Sequence, residues 1–523
     1  MYREYHAFSL VDLLQKSAAR KADAQALADE GASVSYGTLY SRIEKLALAL
    51  IEAGLQPGDR VGFCFPNSID YVISHYAVMR AGGVSVPLDS FITPGNLSYQ
   101  LRNTDARFLL FDQSHWDKMS KADLPSIAFA AVNGMPGAGE PSFLKSPVRL
   151  FDDIFRSGLD GRLPRIDPDG MAMILYTTGT TGRAKGVTLT HRNLVISAMN
   201  IMERCDVTED DCELTALPQT RLFGLAHVHG YLSLGGRMML MKNMILPQKV
   251  LPQIEAVGAT SFPHVPTAFH ILMNQYPDLL RRHASRLRYI LMCSAPCKPD
   301  MYRSLKAMLP GVRIFHSYGL TEAARSTIIE LDRYPDKLDS VGPPTPGTSI
   351  SIVSEGRPVP AGQQGEVIIR GPIVTPGYWK REDENRQTFT EHGFRSGDLG
   401  YLDDDGFLFL IGRIKDIINV SGLKVNPVEI EDALNTHPDI MDTGVVGIPD
   451  DQGPMNEKIV AFVVMREDVS PDGKMLRDYL LDRLENYKIP VQFIKIDALP
   501  KTVSGKIQRN KLREKVTTAG DNQ

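Results

Sequence analysis

The chain has 523 residues, about three times what one compact core of ~150 residues holds, which excludes a single small binding module. Lys and Arg number 58 against 62 Asp and Glu, a net charge of -4, which excludes a protein that owes its affinity to general attraction for nucleic-acid backbone or anionic lipid. At 43% hydrophobic and 23% charged residues, the composition is that of a folded protein with a sizeable core, far from the charge-rich disordered class.

The first residues, MYREYHAFSLVDLLQKSAARKAD, carry an acid at Glu4 and an apolar pattern of helical period, which predicts a surface helix rather than a basic-then-apolar secretion signal. Residues 38 to 115 alternate helical runs such as LYSRIEKLALALIEAG with short β-rich runs (RVGFCF, GVSVPLD, RFLLFD), the rhythm of β-α units that build a parallel sheet. NGMPGAGEPS (133 to 142) reads as a surface loop, and the β-α rhythm resumes after Asp169. From about residue 340 the texture changes to short strands broken by turns (SISIV, GEVIIRG, YLDDDGFLFLIGR), with Asp405-Gly406 as a hairpin signal. Helical and strand patterns restart after Arg413, and the last ~110 residues suit a separate compact unit, so the joint is placed near Lys415. No run reaches the ~18 uninterrupted apolar residues that cross a bilayer. The five cysteines, Cys64, Cys205, Cys212, Cys293 and Cys297, are scattered and form no Cys-x-x-Cys pair, which predicts no disulfide, no structural metal and a reducing, cytoplasmic location.

An apolar strand (MAMIL) runs into a loop dense in Gly and Thr, from Thr177 through Thr178, Gly179, Thr180, Thr181 and Gly182 to Lys185. Its glycines free backbone N–H groups to surround an anion, and the threonine hydroxyls and the Lys185 ammonium add donors. The spacing is not that of a Walker loop, because Gly179 and Gly182 are too close and Lys185 is followed by Gly186. HSYGLTE (316 to 322), GFRSGDLGYLDDDG (393 to 406), GRIKDIINVSGLKVNPVEIEDAL (412 to 434) and PKTVSGKIQRNKLRE (500 to 514) follow in that order.

In this order the motifs resemble the adenylate-forming superfamily of acyl-CoA synthetases, carrier-protein-loading adenylation domains and luciferase-like enzymes, over nearly the whole chain. The resemblance implies an α/β fold: a large N-terminal domain (1–413) of two β-α-β subdomains plus a distorted β-barrel, and a small, mobile α+β C-terminal lid domain (414–523). It also implies two half-reactions. A carboxylate attacks the α-phosphate of ATP with Mg2+, giving an acyl-adenylate and pyrophosphate, and the thiol of CoA then displaces AMP. The alternative acceptor is a separate acyl carrier protein. The partners are then a small carboxylic acid, ATP and CoA, with no nucleic acid; monomer and homodimer both accord with the sequence.

By the same resemblance, the loop from Thr177 to Gly182 and Lys185 hold the β- and γ-phosphates. Ser294, Ala295 and Pro296 wall one face of adenine and Tyr318, within Ser317-Tyr318-Gly319, stacks on it. Thr321 faces the α-phosphate, and Glu322 ligates Mg2+ as a hard oxygen donor. Asp398 accepts both ribose hydroxyls, and Arg413 is a second ribose contact. Lys506, near the chain end, bridges the attacking carboxylate and the α-phosphate and leaves when the lid swings. Lys415 falls at the hinge, and Asn419, Ser421, Gly422 and Lys424 on the face used for thioester formation. Arg221, Phe223 and Gly224 line the acyl pocket, with Arg221 where the family usually has a gating His. A guanidinium buried there without a partner implies an anion, either a second acidic or polar group of the substrate or a CoA phosphate; an Arg that points to solvent or to a CoA phosphate is about equally in keeping with the sequence. No Asp or Glu occurs between Glu213 and Glu255, which disfavours an amino-acid substrate.

Overall fold

A computed structural model of the chain describes residues 5, 7–134, 144, 146, 148–177, 184–450, 456–466, 472–501 and 507–520, with backbone alone at 517–520. Most of the loop at 133–142, the stretch from Thr178 to Gly182, and Lys506 therefore lie outside the described residues. The described residues fall into two compact units, one running to residue 350 and including 369–394, the other comprising 351–368 and 395 onward.

In the first unit, helices Leu10–Arg20 (α1), Tyr36–Glu52 (α2) and Ile69–Arg80 (α3) accompany strands Arg60–Cys64 (β1), Val84–Pro87 (β2), Phe108–Asp112 (β3), Phe129–Asn133 (β4) and Val148–Leu150 (β5). Met171–Thr177 (β6) and Lys185–Thr190 (β7) extend the sheet, and helix His191–Arg204 (α4) follows. The strand order is Gly377–Tyr378, β7, β6, β2, β1, β3, β4, β5. Strands β1 to β6 pair in parallel wherever they are neighbours, as the β-α rhythm predicts, and β7 turns back antiparallel on β6. All four residues of β2 and the last four of β1 are buried, which is why these strands read as unbroken apolar runs rather than alternating ones.

Ser9 caps α1 in a reciprocal box with Asp12. The helix is where the periodicity places it, and it packs as a surface helix does: Leu10, Val11, Leu13, Leu14 and Ala18 join the main core, while Gln15, Lys16, Ala19 and Arg20 are exposed. Helix Leu222–Leu234 (α5) is buried from Leu222 to Ser233 and accordingly has no polar stripe. A second sheet, in the order Cys212–Thr215, Arg237–Leu240, Gln25–Asp29, Ser33–Ser35, shares this core. The third sheet is Tyr289–Cys293 (β8), Arg313–Leu320 (β9) and Ala323–Glu330 (β10), in that order. Gly377–Tyr378 (β11) pairs with β7, and the short helix Glu382–Thr388 (α6) follows it.

The second unit is built on a curled sheet of Ser349–Ser354 (β12), Gly365–Arg370 (β13), Gly393–Leu402 (β14) and Leu408–Arg413 (β15). The β14–β15 hairpin turns where Asp405-Gly406 marks it, held by the Asp403 carboxylate, which accepts from the Asp405 and Phe407 amides at 3.1 and 2.8 Å. A small hairpin (Ile418–Val420 with Leu423–Val425) leads to helix Pro427–Leu434 (α7) and to the sheet Ile440–Pro449 (β16), Glu457–Met465 (β17), Gln492–Lys495 (β18). Ile430, Leu434, Val445, Ile459 and Leu476 form its core, and helix Arg509–Gly520 (α8) ends the described chain.

Candidate active site

The ends of the Gly/Thr loop are fixed by the β6–β7 ladder, in which Thr177 stands opposite Lys185. The Lys185 ammonium pairs with Glu384 of α6 and lies 5.3 Å from the centre of the Tyr378 ring. The Tyr378 hydroxyl donates to Glu322 Oε1 at 2.8 Å, and the Thr375 amide donates to the Glu322 carbonyl at 2.8 Å. Lys185 and Glu322, which motif reasoning assigned to phosphate and Mg2+, thus converge on one aromatic side chain. Tyr378 and Glu384 were not foreseen; their only trace in the sequence is the run GYWKREDE, which carries no chemistry by itself.

Thr321 and Glu322 form the turn between β9 and β10, where Leu320 pairs with Ala323. This hairpin is tight enough to demand glycine beside it: a Cβ on Gly319 would come within 2.5 Å of the Arg325 amide nitrogen. Tyr318 is half-buried on β9, whereas Ser317 is buried, its hydroxyl 3.5 Å from the Met292 carbonyl. Ser294, Ala295 and Pro296 follow β8, with Ser294 at φ 76° and the Ala295 carbonyl accepting from His316 Nε2 at 3.0 Å. Burial holds the His316 imidazole below its usual pKa, and its contact with Ala295 ties this segment to β9.

Phe223 and Gly224 are buried in the first turn of α5, with Arg221 at its N-cap. The anion facing Arg221 comes from the chain itself: NH2 donates to Asp89 Oδ2 at 2.9 Å, and NH1 reaches the Tyr176 carbonyl at 3.4 Å. Asp89 lies 132 residues upstream, so a search of the sequence around Arg221 could not find it. With the arginine side chain 41% exposed, the premise that Arg221 is a buried guanidinium in need of an external anion is corrected.

In the second unit, Asp398 and Arg413 stand directly opposite each other on β14 and β15. Arg413 Nε is 2.7 Å from Asp398 Oδ1, and its NH1 donates to the Ser396 carbonyl at 3.2 Å. The two expected ribose residues are therefore cross-strand neighbours, with the Asp398 side chain only 10% exposed. Lys415 is exposed in a single turn, Ile414–Asp416. Ser421 and Gly422 turn the following hairpin with φ of 51° and 87°, the Asn419 side-chain oxygen accepting from the Gly422 amide at 2.9 Å. Ser421, Gly422 and Lys424 are exposed there. Lys506 lies outside the described residues; Lys501 and Ile507, to either side of it in the sequence, pair with each other. Arg509 then anchors α8 by a two-pronged contact with Glu431 at 2.7 and 2.8 Å.

The model of the AMP-binding enzyme family matches residues 14–379, and that of the AMP-binding enzyme C-terminal domain matches 429–506. The chain is 32% identical to an oxalate–CoA ligase of Arabidopsis thaliana over 96% of this chain and 97% of that protein. It is also 32% identical to a long-chain-fatty-acid–CoA ligase of Bacillus subtilis over 97% and 95%. Among solved structures, ATP-bound MatB from Rhodopseudomonas palustris superposes with a TM-score of 0.85 at 29% identity, over 97% of this chain and 99% of that one. A large mixed α/β N-terminal part, a curled sheet and a small C-terminal part are common ground between motif, fold and relatives. The chain belongs to the AMP-binding enzymes, the adenylate-forming superfamily that includes the CoA ligases.

Proposed function

We propose that the chain converts a carboxylic acid, ATP and CoA into an acyl-CoA, AMP and pyrophosphate, with roles for its residues as follows. Lys185, Thr177 and the Gly/Thr loop hold the β- and γ-phosphates, Lys185 exchanging the Glu384 carboxylate for phosphate oxygens. Glu322 would hold Mg2+: Tyr378 engages one of its oxygens, and Mg2+ commonly takes one or two carboxylates with substrate phosphates completing its shell. That ion, when bound, neutralises phosphate charge. Asp398 and Arg413 receive the ribose; Tyr318, Ser294, Ala295 and Pro296 receive the adenine.

In the first half-reaction, a carboxylate oxygen of the acid bonds to the α-phosphorus as the bond to the pyrophosphate oxygen breaks. Lys506 and Thr321 carry the charge that builds on the α-phosphate. In the second, the CoA thiolate bonds to the acyl carbon and AMP leaves with the bonding pair. Lys415 serves as the hinge between 1–413 and 414–523, and Asn419, Ser421, Gly422 and Lys424 serve the thioester step. CoA is the acceptor rather than a carrier protein, in keeping with relatives that are CoA ligases. Five free, buried thiols favour a reducing, cytoplasmic location.

The observation that carries this reading is the convergence of Lys185 and Glu322 on Tyr378 at the end of the Gly/Thr loop. A screen of pyrophosphate release over a panel of carboxylic acids, run with and without CoA, tests it. Release should require an acid and thioester should require CoA; release independent of any acid would refute the assignment.

A further inference from the structure

Arg325, the third residue of β10, is 3% exposed and holds an uncommon left-handed backbone at φ 62°. Its NH2 donates to the Phe223 carbonyl at 3.1 Å, its NH1 lies 3.6 Å from Cys293 Sγ, and the guanidinium carbon sits 4.8 Å from the centre of the Phe223 ring. Its Nε has no hydrogen-bond partner among the described residues. These neighbours are neutral, and no described carboxylate forms an ion pair with it. Glu213, which acts on it electrostatically, is taken up by His227 Nδ1 at 2.8 Å and Ser261 Oγ at 3.1 Å. A guanidinium keeps its proton, so this charge persists inside the protein, a strongly unfavourable placement unless an anion meets it. Arg221, by contrast, already has Asp89.

The neighbours also say where that anion comes from. Phe223 is the second residue of α5, Cys293 directly precedes Ser294 to Pro296, and Glu322 is three residues back along the same hairpin. Arg325 thus stands between the helix expected to line the acyl pocket and the segments expected to hold the nucleotide. Three residues span at most about 10 Å between Cα atoms, so an acid activated beside Glu322 meets Arg325 only a short distance along its chain. A planar fork with an unused N–H matches a carboxylate. Backbone strain at Arg325 and at Ser294, φ 76°, is of the kind that persists where a site over-determines it.

We infer that Arg325 is the specificity residue of the acyl site, receiving the second carboxylate of a short dicarboxylic acid. The inference rests on the CoA-ligase reading above. The test is initial-rate CoA-thioester formation with oxalate, malonate and succinate against acetate, propionate, butyrate and monomethyl malonate. The full-length enzyme should favour its best diacid by about 100-fold or more in kcat/KM over monoacids of equal length, and malonate over its monomethyl ester. Arg325→Met should abolish that preference, raising KM for the diacid more than it lowers kcat and sparing the monoacids; Arg325→Lys should fall between. Should Arg325→Met not fold, malonate against its monomethyl ester in the unmodified enzyme decides alone. Equal or better turnover of monoacids, or a loss in Arg325→Met shared by all acids, would overturn the inference and leave the ligase reading standing. Turnover of none of these short acids would also overturn the inference, and the wider acid panel above then decides the ligase reading separately.

Discussion

Replacing Tyr378 by Phe removes one hydroxyl and keeps the ring, so it separates the bond to Glu322 from the packing against Lys185. The bond is a phenol O–H on a carboxylate at 2.8 Å. Hydrogen bonds to charged groups contribute about 1.5–3 kcal/mol, which at 1.36 kcal/mol per decade is about 10- to 150-fold in rate if the bond holds Glu322 in its working position. Because the lost contact orients Glu322, the loss should appear in the adenylation half-reaction and should be eased by raising Mg2+. The assay is initial-rate pyrophosphate release as a function of Mg2+ at saturating ATP, with a thermal melt alongside. Unfolding should shift by only a few degrees, since the ring and its contact with Phe389 remain. A variant within about threefold of the parent at every Mg2+ concentration would refute the positioning role.

Lys506→Ala should abolish pyrophosphate release yet largely spare conversion of supplied acyl-adenylate with CoA; equal loss of both half-reactions would contradict its assignment to the α-phosphate. Lys415→Pro, which fixes φ and removes a donor, should slow thioester formation far more than adenylation, and unchanged half-rates would show that the hinge lies elsewhere. Arg221→Leu should leave the order of preference among acids unchanged and lower stability by about 1 kcal/mol at most, since its half-exposed partner is Asp89; a reordered acid panel would return it to the pocket. Burial pushes His75 down to about 3 and His191 to about 4, against 6.5 for an unfolded imidazole. The unfolded chain therefore takes up protons that the fold refuses, so stability present above pH 6.5 falls as the pH drops, by about 2 kcal/mol per imidazole at pH 5; urea midpoints that do not move between pH 7 and 5 would contradict this.

What the sequence shows and hides follows from distance along the chain. Parallel strands buried on both faces announce themselves as apolar runs, and the turn at Asp403 to Phe407 announces its hairpin through local side-chain chemistry. Once that hairpin is granted, Asp398 and Arg413 follow as neighbours, though 15 residues separate them. The partners that tune the site do not follow, because they are long-range: Glu384 meets Lys185 across 199 residues and Asp89 meets Arg221 across 132. For α1 the periodic pattern gave the helix but could not say that other helices cover its apolar stripe. Arg325 is plain in the sequence as a residue type; its burial is a property of what α5 and β8 place around it.

On the roles proposed above, these cations differ in what binding would do to them. Lys185 and Arg413 each rest on a protein carboxylate, Glu384 and Asp398, and each ion pair retains partial solvent access. A phosphate that reaches Lys185 replaces one anion by another and releases Glu384 to water. The net gain is a difference between two similar interactions, which suits a nucleotide that must leave again as AMP and pyrophosphate in every cycle. Arg325 has no carboxylate to give up, and its surroundings are a thiol, a carbonyl and an aromatic face. An anion arriving there gains the whole pairing, and an acid without one leaves a buried charge as it was. Discrimination between substrates is greatest where a buried group goes unmatched with the wrong one. On that proposal the paired cations serve every acid alike, and the choice among acids falls to Arg325, which has no carboxylate partner among the described residues.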